Sequence, residues 1–220
     1  MASHSERLAA QPLSLKLIDI SHFQNVIDPG KLAIQDILSG VLCKATQGND
    51  FTDSTFAFRM RRLDEIGLVK GAYHFYDPTI DPVAQAQYFT SVISAYCPLI
   101  PALDLEEGKV LGWTELSNDE NCSRVQDFLD EFARHFKGLP HIYTSASFME
   151  SYLKGLNLSA YPLWVADYSQ NPPRLPSPWI SYSIWQKSAG DTEAGIIGSV
   201  DLDEFNGTVD DLKALCVTAI

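Results

Sequence analysis

Two acidic residues with one residue between them follow an uncharged apolar run near the middle of the chain. The run PLIPAL, residues 98–103, leads directly into Asp104, Leu105 and Glu106. Side chains on a β-strand alternate between its two faces, so Asp104 and Glu106 should enter one space while Leu105 points the other way. Two carboxyl groups this close, in a site shielded from water, raise the pKa of one of them. The pair therefore predicts a protonated carboxylic acid beside an ionised carboxylate at working pH.

An acid and a carboxylate side by side suit the cleavage of a glycosidic bond. One group protonates the leaving oxygen, and others stabilise positive charge at the sugar carbon. Asp19 and Asp201 stand at other predicted strand ends and are candidates for the same site. Four carboxylates would also suit a divalent metal ion, so a metal-dependent hydrolase is the alternative from the residues alone. Glu107 is expected to face away from the pair, as a solvated loop carboxylate.

The elements that must position these acids follow a regular order from Leu15 onward. Short runs rich in β-branched and aromatic residues alternate with segments of helical period, which is typical of βα units. After Gly155 three strand-like runs follow without a clear helix between them, and TVDDLKALCVTAI is predicted to close the chain as a short helix. The eight predicted strands are LKLIDIS, GVLCKAT, VKGAYHFY, LIPALDLEE, PHIYTS, YPLWVADYS, SYSIWQKS and GSVDLDEF.

Residues typical of helix ends support this division. Asp28 or Pro29 is predicted to open the first helix, in DPGKLAIQDIL, and Asp81 with Pro82 provides an N-cap and a first-turn proline for the third. Glycines that end other helices are predicted at Gly67, Gly138 and Gly155.

Repeated βα units predict a mainly parallel sheet that is covered on both faces. Eight strands in a chain of 220 residues predict an α/β fold with a modified TIM-type barrel, as a single domain over residues 15–220 behind a flexible leader at 1–14. An open doubly wound sheet is the alternative. In a parallel barrel the functional residues lie at the C-terminal ends of the strands. Polar or aromatic residues at the predicted ends are Asp19, His74, Tyr76, Asp104, Glu106, Asp167, Trp185, Gln186 and Asp201.

Aromatic residues near this predicted mouth are candidates for stacking on sugar rings. Each of them, taken alone, is better explained as a core residue than as a ligand contact. The candidates are Tyr73 or Tyr76, Tyr143, Trp164, Tyr168 and Trp185.

Composition and charge exclude several classes of function. The net charge of -12, with 28 acidic against 16 basic residues, argues against a nucleic-acid partner. No stretch approaches the length of a membrane span, and the N-terminal residues lack the layout of a secretory signal, so synthesis in the cytoplasm is expected. The four cysteines are interpreted as structural thiols, with disulfides or a metal site as the alternative: Cys43, Cys97, Cys122 and Cys216.

A series of eight short motifs resembles a known family. In chain order they are DISHFQ, KATQG, GAYHFY, ALDLE, IYTS, LWVADY, IWQ and VDLDEFNG. The series is similar to that of glycoside hydrolase family 25, the Chalaropsis-type lysozymes that are also common as phage endolysins. Each motif alone is weak, but eight in order between about Leu15 and Asn206 are specific. The resemblance implies a (β/α)5(β)3 barrel and N-acetylmuramidase activity on peptidoglycan, with no cofactor and no metal.

Carried over residue by residue, the resemblance implies that Glu106 is the general acid and that Asp104 is its partner carboxylate. Asp19 and Asp201 match the two further acids of the site. Positions that the family places around the cleft, and that are expected to bind substrate, are Tyr73, Trp164 and Gln186. The chain departs from the family pattern at Gln47, where Glu is common, and at Lys187, where Tyr is common.

The route of hydrolysis is open at this stage. We expect the acetamido oxygen of the substrate to attack the anomeric carbon while Asp104 orients and stabilises that group. A protein nucleophile or an inverting base would instead be Asp19 or Asp201. The alternatives for function are a non-catalytic peptidoglycan-binding protein on the same scaffold and a hydrolase of another N-acetylhexosamine polymer, such as chitin.

The expected partner is bacterial peptidoglycan. The protein is expected to be a monomer and to bind neither nucleic acid nor membrane. Without a leader of its own, the protein is expected to reach the cell wall, in the periplasm or outside the cell, after release or delivery. An endolysin, an antibacterial effector and a host lysozyme all fit the sequence. An effector would add delivery machinery and an immunity protein as partners.

Overall fold

Strands and helices alternate along the first part of the chain. The computed structural model describes residues 14–24, 26–28, 31–32, 38–108, 112–169 and 171–220. The strands are β1 (Ser14–Ile20), β2 (Val26–Ile27), β3 (Leu38–Gln47), β4 (Phe51–Thr52), β5 (Val69–Phe75), β6 (Ile100–Asp104), β7 (Phe136–Lys137), β8 (His141–Thr144), β9 (Leu163–Ala166), β10 (Ile184–Asp191), β11 (Ile196–Ile197), β12 (Val200–Asn206) and β13 (Thr218–Ala219). The helices are α1 (Phe56–Ile66), α2 (Pro82–Ile93), α3 (Asn118–Phe132), α4 (Ala146–Tyr152) and α5 (Val209–Ala214), and a 3₁₀ turn spans Ser94–Tyr96.

Eight of the strands close into a barrel. Their order around it is β1, β3, β5, β6, β8, β9, β10 and β12, and β12 pairs with β1 to complete the ring. This arrangement confirms the predicted modified TIM-type barrel and is incompatible with the open doubly wound sheet. Each of the eight strands corresponds to one predicted from the sequence.

The last barrel strand, β12, runs antiparallel to both of its neighbours, β1 and β10, whereas the other pairs in the ring are parallel. Only residues 192–199 separate β10 from β12, and a parallel connection needs a crossover of a dozen or more residues. The N-terminal end of β12 therefore lies beside the C-terminal ends of the parallel strands. Asp201, near the start of β12, reaches the mouth of the barrel for this reason.

The predicted helix caps at Asp81 and Gly67 are confirmed, whereas Gly138 and Gly155 do not cap helices. Helix α3 ends at Phe132 with Ala133 as its cap, and α4 ends at Tyr152 with Leu153 as its cap. The side chain of Asp81 accepts a hydrogen bond from the Ala84 N–H at 2.8 Å, at the start of α2. Gly67 ends α1 with a φ of 73°, a left-handed conformation that glycine adopts without strain. The first predicted helix, at 28–38, falls mostly outside the described residues, as do residues 1–13 of the predicted leader; Ser14 already belongs to β1.

The predicted closing helix is shorter than the sequence pattern indicates. Only Val209–Ala214 is helical, behind a capping box in which Thr208 and Asp211 bond to each other's backbone N–H. The chain then turns to pair Val217 with Leu99 and β13 with β7. Pairing with these strands competes with the helix and ends it.

Apolar side chains form two layers. The interior of the barrel is filled by residues such as Leu17, Leu42 and Ile184, together with Leu212 from α5. A second layer between the strands and the helices includes Phe128 of α3. The barrel is thus a packed core rather than a channel. No helix in the described ranges is both long and apolar enough to cross a membrane.

Candidate active site

A small cavity opens at the end of the barrel where the parallel strands have their C-termini. Its volume is about 80 Å³. All seven residues predicted for the site border this one cavity, and Tyr143 joins them. The lining residues are Asp19, Tyr73, Asp104, Glu106, Tyr143, Trp164, Gln186 and Asp201.

Strand alternation brings Asp104 and Glu106 together, as the sequence predicts. Asp104 ends β6 and is buried, Glu106 is half-buried, and Leu105 between them is fully buried in the outer layer. The loop after the strand is held by the Trp113 indole, whose Nε1 donates to the backbone oxygen of Glu106 at 3.1 Å. Within the described part of the chain, Asp104 Oδ1 is buried without a hydrogen-bond partner. The pair therefore leaves a free acceptor inside the cavity.

Both carboxyl groups of the pair hold a proton more firmly than usual. Burial raises the pKa of Glu106 to about 7, although the positive charge of Lys44 lowers it. Burial, followed by the charge of Glu106, raises the pKa of Asp104 well above its ordinary value. Because the two groups interact strongly, they titrate as one unit that shares a proton.

Lys44 is a neighbour of this pair that sequence reasoning missed. It follows Leu42 by two residues on β3, so alternation directs it to the interior as well. Its Nζ donates to Gln47 Oε1 at 2.8 Å and lies 4.5 Å from the centre of the Phe75 ring. Burial lowers the pKa of Lys44, while attraction to Asp104 raises it. A basic residue at a strand end in KATQG was the available signal.

A second group of polar side chains surrounds Asp19, which pairs with Asp201 in the strand register. Gln186 Nε2 donates to Asp19 Oδ2 at 2.6 Å, and Gln186 Oε1 accepts from the hydroxyls of Tyr143 at 2.8 Å and Tyr168 at 2.5 Å. Burial, then the charge of Asp201, raises the pKa of Asp19 to about 7. Burial also raises the pKa of Asp201.

Asp203 is the second residue that sequence reasoning missed. It lies two positions after Asp201 on β12, is buried, and accepts a hydrogen bond from Trp164 Nε1 at 2.7 Å. Burial and the charge of Asp19 raise its pKa well above the ordinary value, and its hydrogen bond to Asp19 raises it further. Two ionised carboxylates have no donor between them, so a hydrogen bond between Asp19 and Asp203 requires one of the two to keep a proton. The alternation rule that pairs Asp104 with Glu106 could have found it.

Trp164 forms the floor of the cavity. Its ring is buried and meets the ring of Tyr143 edge-on, with centroids 4.7 Å apart, and the ring of Tyr73 at 6.1 Å. These contacts and the bond to Asp203 fix the indole in the core.

Other predicted strand-end residues turn away from the cavity. His74 follows Tyr73, so it faces the outer layer, where it bonds Thr46 and Gln85 and burial lowers its pKa to about 3. Strand ends locate a residue along the barrel axis, but the face depends on alternation. Three more residues also lie outside the cavity lining: Tyr76 packs on Trp113, Trp185 donates to the Asp167 backbone, and Asp167 accepts from Ser169 and Arg174.

The remaining sequence predictions concern metals and cysteines. Among the described residues, no group of three or more His, Cys, Asp or Glu side chains is arranged to hold a metal ion. The four cysteines are free thiols. Lys187, one of the two departures from the family pattern, donates to Glu204 at 2.7 Å and lies 4.7 Å from the centre of the Trp185 ring.

Comparisons with known proteins give the site its context. The model of the glycosyl hydrolases family 25 matches residues 18–196. YegX of Escherichia coli K12 is 34% identical, and the match covers 90% of this chain and 71% of YegX. Lysozyme M1 of Streptomyces globisporus is 30% identical, and the match covers 90% of this chain and 70% of that lysozyme. The crystal structure of the lysozyme from Streptomyces coelicolor superposes with a TM-score of 0.85 at 29% identity, covering 93% of this chain and 98% of that one. The chain therefore belongs to glycosyl hydrolases family 25 and is a glycoside hydrolase.

Proposed function

We propose that this glycoside hydrolase is a muramidase, which hydrolyses the β-1,4 bond between N-acetylmuramic acid and N-acetylglucosamine in peptidoglycan. The observation that carries the proposal is the pairing of Glu106 with Asp104 in the cavity at the barrel mouth. Relatives named as lysozymes, such as that of Streptomyces globisporus, support it.

Glu106 is the proposed general acid. Its pKa of about 7 keeps it protonated in mildly acidic solution and about half protonated at pH 7. It is half-buried, so its carboxyl can contact a substrate. Its proton moves to the glycosidic oxygen as the bond from that oxygen to the anomeric carbon breaks, and the leaving sugar departs with a free hydroxyl. Water later gives its hydroxyl to the anomeric carbon and its proton to the Glu106 carboxylate.

Asp104 is the proposed partner of the substrate's acetamido group. Its buried Oδ1, which lacks a hydrogen-bond partner among the described residues, is a suitable acceptor for the acetamido N–H. That bond favours ionised Asp104 and so moves the shared proton to Glu106. The acetamido oxygen can then attack the anomeric carbon while the Asp104 charge stabilises the intermediate.

Asp19 and Asp201 are assigned a supporting electrostatic role in this scheme. Asp19 is already engaged by the Gln186 amide and by its hydrogen bond with Asp203. A carboxylate bound in this way is a poor nucleophile. Isolation of a covalent sugar ester on Asp19 or Asp201 would replace the substrate-assisted route with a protein nucleophile. Tyr73, Trp164 and Gln186 are proposed to shape and hold the sugar-binding wall.

The test is the release of reducing sugar from purified peptidoglycan sacculi. We expect the intact protein to release it and a Glu106→Gln variant to be slower by about 10³-fold, because the acid is lost. Glu150→Gln is the matched control, since this exposed glutamate of α4 pairs with Arg174 outside the cavity. Binding to sacculi without any release would instead identify a non-catalytic binding protein, and release from chitin alone would identify a different hydrolase.

A further inference from the structure

A larger cavity lies at the end of the barrel opposite the acids. Its volume is about 490 Å³, within the usual size range of ligand sites. It is lined by residues 138–139, 159–163 and 181–183, which lead into β8, β9 and β10, and by Trp179 and residues 214–217. These positions lie at the N-terminal ends of parallel strands, so the barrel separates this cavity from the one at the mouth, and the two share no lining residue. We call it the basal pocket.

Aromatic side chains contribute to the lining of the basal pocket. Trp179 is 8% exposed, and its Nε1 donates to the backbone oxygen of Tyr161 at 2.8 Å. The ring of Tyr182 packs edge-on against that of Trp185, with centroids 6.1 Å apart. Tyr161 and Tyr182 are both partly exposed. The pocket therefore offers aromatic rings that are already held in place, on which an apolar face of a ligand can pack.

Ser183 supplies an oriented hydrogen-bond donor to the basal pocket. Its Oγ lies 3.0 Å from Nε2 of His141, a fully buried residue whose Nδ1 has no partner in the part of the chain that the structure describes. Burial lowers the pKa of His141 to about 3, so its ring is neutral and carries one N–H. We place that proton on Nε2, where it has an acceptor, because buried N–H groups without a partner are rare. Ser183 then accepts from His141, and its own hydroxyl hydrogen can be donated to a ligand.

The lining of the basal pocket is neutral. None of its described lining residues is an acid or a base, although the chain carries a net charge of -12. A phosphate or carboxylate ligand would normally be bound by a cationic side chain, which this lining lacks. A purely apolar ligand would bury the Ser183 hydroxyl without a partner. The lining therefore suits a neutral ligand that has both hydroxyl groups and an apolar face.

We propose that the basal pocket is a second saccharide-binding site, which holds an N-acetylglucosamine unit of a glycan strand. This sugar is neutral, its hydroxyl groups can accept from Ser183, and the face of its ring can pack on the aromatic side chains. The identity of the polymer rests on the proposed muramidase function. Because the site is at the other end of the barrel, it does not hold the sugars that flank the cleaved bond and instead binds a neighbouring part of the wall. Such a second contact raises the effective concentration of the enzyme at the wall without charge attraction, which the net charge of -12 disfavours.

Filling the basal pocket tests which ligand it binds. Isothermal titration with tri-N-acetylchitotriose counts the sugar molecules bound per chain. We expect Ser181→Trp, a substitution at an exposed lining position, to bind one molecule fewer per chain than the parent protein. Ala160→Trp is a second filling variant at an exposed lining position. Ser91→Trp is the matched control, because Ser91 is an exposed serine on α2 outside both cavities, and it should bind as many molecules as the parent. Thermal unfolding checks that all three variants fold.

Activity on two substrates tests the second contact. On insoluble sacculi we expect Ser181→Trp to lower kcat/KM at least about fivefold, whereas on a soluble, peptide-free tetrasaccharide of the same glycan kcat/KM should stay within about twofold of the parent value. An unchanged number of bound sugars in both folded filling variants, an equal loss on both substrates, or no loss on sacculi would overturn the proposal. A parent protein that binds the sugar at the basal pocket but cleaves neither substrate would overturn the muramidase proposal alone, so the two failures are distinguishable.

Discussion

The interior and mouth of the barrel hold two pairs of acids that differ in their surroundings. Asp104 and Glu106, at the end of β6, have the cation of Lys44 nearby, and its charge lowers the pKa of both. Asp19 and Asp203, on β1 and β12, share a proton and are contacted by neutral groups, the Gln186 amide and the Trp164 indole.

The difference separates two uses of the same residue type. A pair with a cation beside it and one half-exposed member can exchange a proton with a substrate near neutral pH. A pair fixed by neutral donors, with a proton held between the two acids, supplies local charge instead. Raised pKa values alone do not distinguish a proton donor from a supporting acid; exposure and the sign of the neighbours do.

Removing the charge of Asp104 is expected to cause the largest loss of activity among the substitutions in the two pairs. We expect Asp104→Asn to lower kcat on sacculi by about 10²–10³-fold, because a preorganised charge at the reacting carbon is lost. Reducing-sugar release measures this. Asp130→Asn, an exposed position on α3, is the control. Activity within threefold of the parent would remove Asp104 from the mechanism.

Replacing Gln186 tests the second pair. Gln186→Leu removes the donor to Asp19 and the acceptor for the Tyr143 and Tyr168 hydroxyls, so we expect about tenfold lower kcat/KM. Unpaired buried groups should also lower the free energy of unfolding by about 1–3 kcal/mol, measured by urea denaturation. Parent-like activity in a folded variant would show that Asp19 needs no such support.

Replacing Lys44 tests, through the pH dependence of activity, how a nearby cation sets the pKa of the first pair. Activity should fall above about pH 7 as Glu106 loses its proton. Lys44 lowers that pKa, so Lys44→Met should raise it and move the alkaline limb upward by about one pH unit. The pH profile of kcat/KM is the measurement, with Lys213→Met at the opposite end of the barrel as the control. A shift of the alkaline limb to lower pH would contradict the proposed effect of Lys44 on the pKa of Glu106.

The smallest effect is expected at Asp203. If it is protonated, Asp203→Asn retains a donor to Asp19 and an acceptor for Trp164, so kcat/KM should change less than about threefold. The same assay on sacculi applies. A loss as large as that of Asp104→Asn would mean that Asp203 works as an ionised group, and the two pairs would then no longer differ in kind.

Local sequence rules predict much of this molecule. Alternation within ALDLE separates Asp104 and Glu106 from Leu105 without any tertiary information. The change from βα units to bare strands after Gly155 predicts the barrel, and Gly67 and Asp81 predict the helix ends where they lie.

What depends on distant contacts could not be predicted in the same way. The strand register changes just after Lys44, between it and Thr46, so its position relative to β6 depends on the pairing with β5. The raised pKa of Asp203 depends in part on its contact with Asp19, which is far away in sequence. The face of His74 and the end of the last helix likewise follow from packing partners that no local pattern encodes.

The antiparallel strand β12 also affects when the site can form during folding. It joins β1 to β10, so residues near the two ends of the chain must meet before the ring is complete. A nascent chain that ends before β12 carries Asp104 and Glu106 but neither Asp201 nor Asp203, and its first strand lacks one neighbour. Contacts between such distant segments form late and slowly. Assembly of the acids at the barrel mouth is therefore coupled to the pairing of β12 with both β1 and β10.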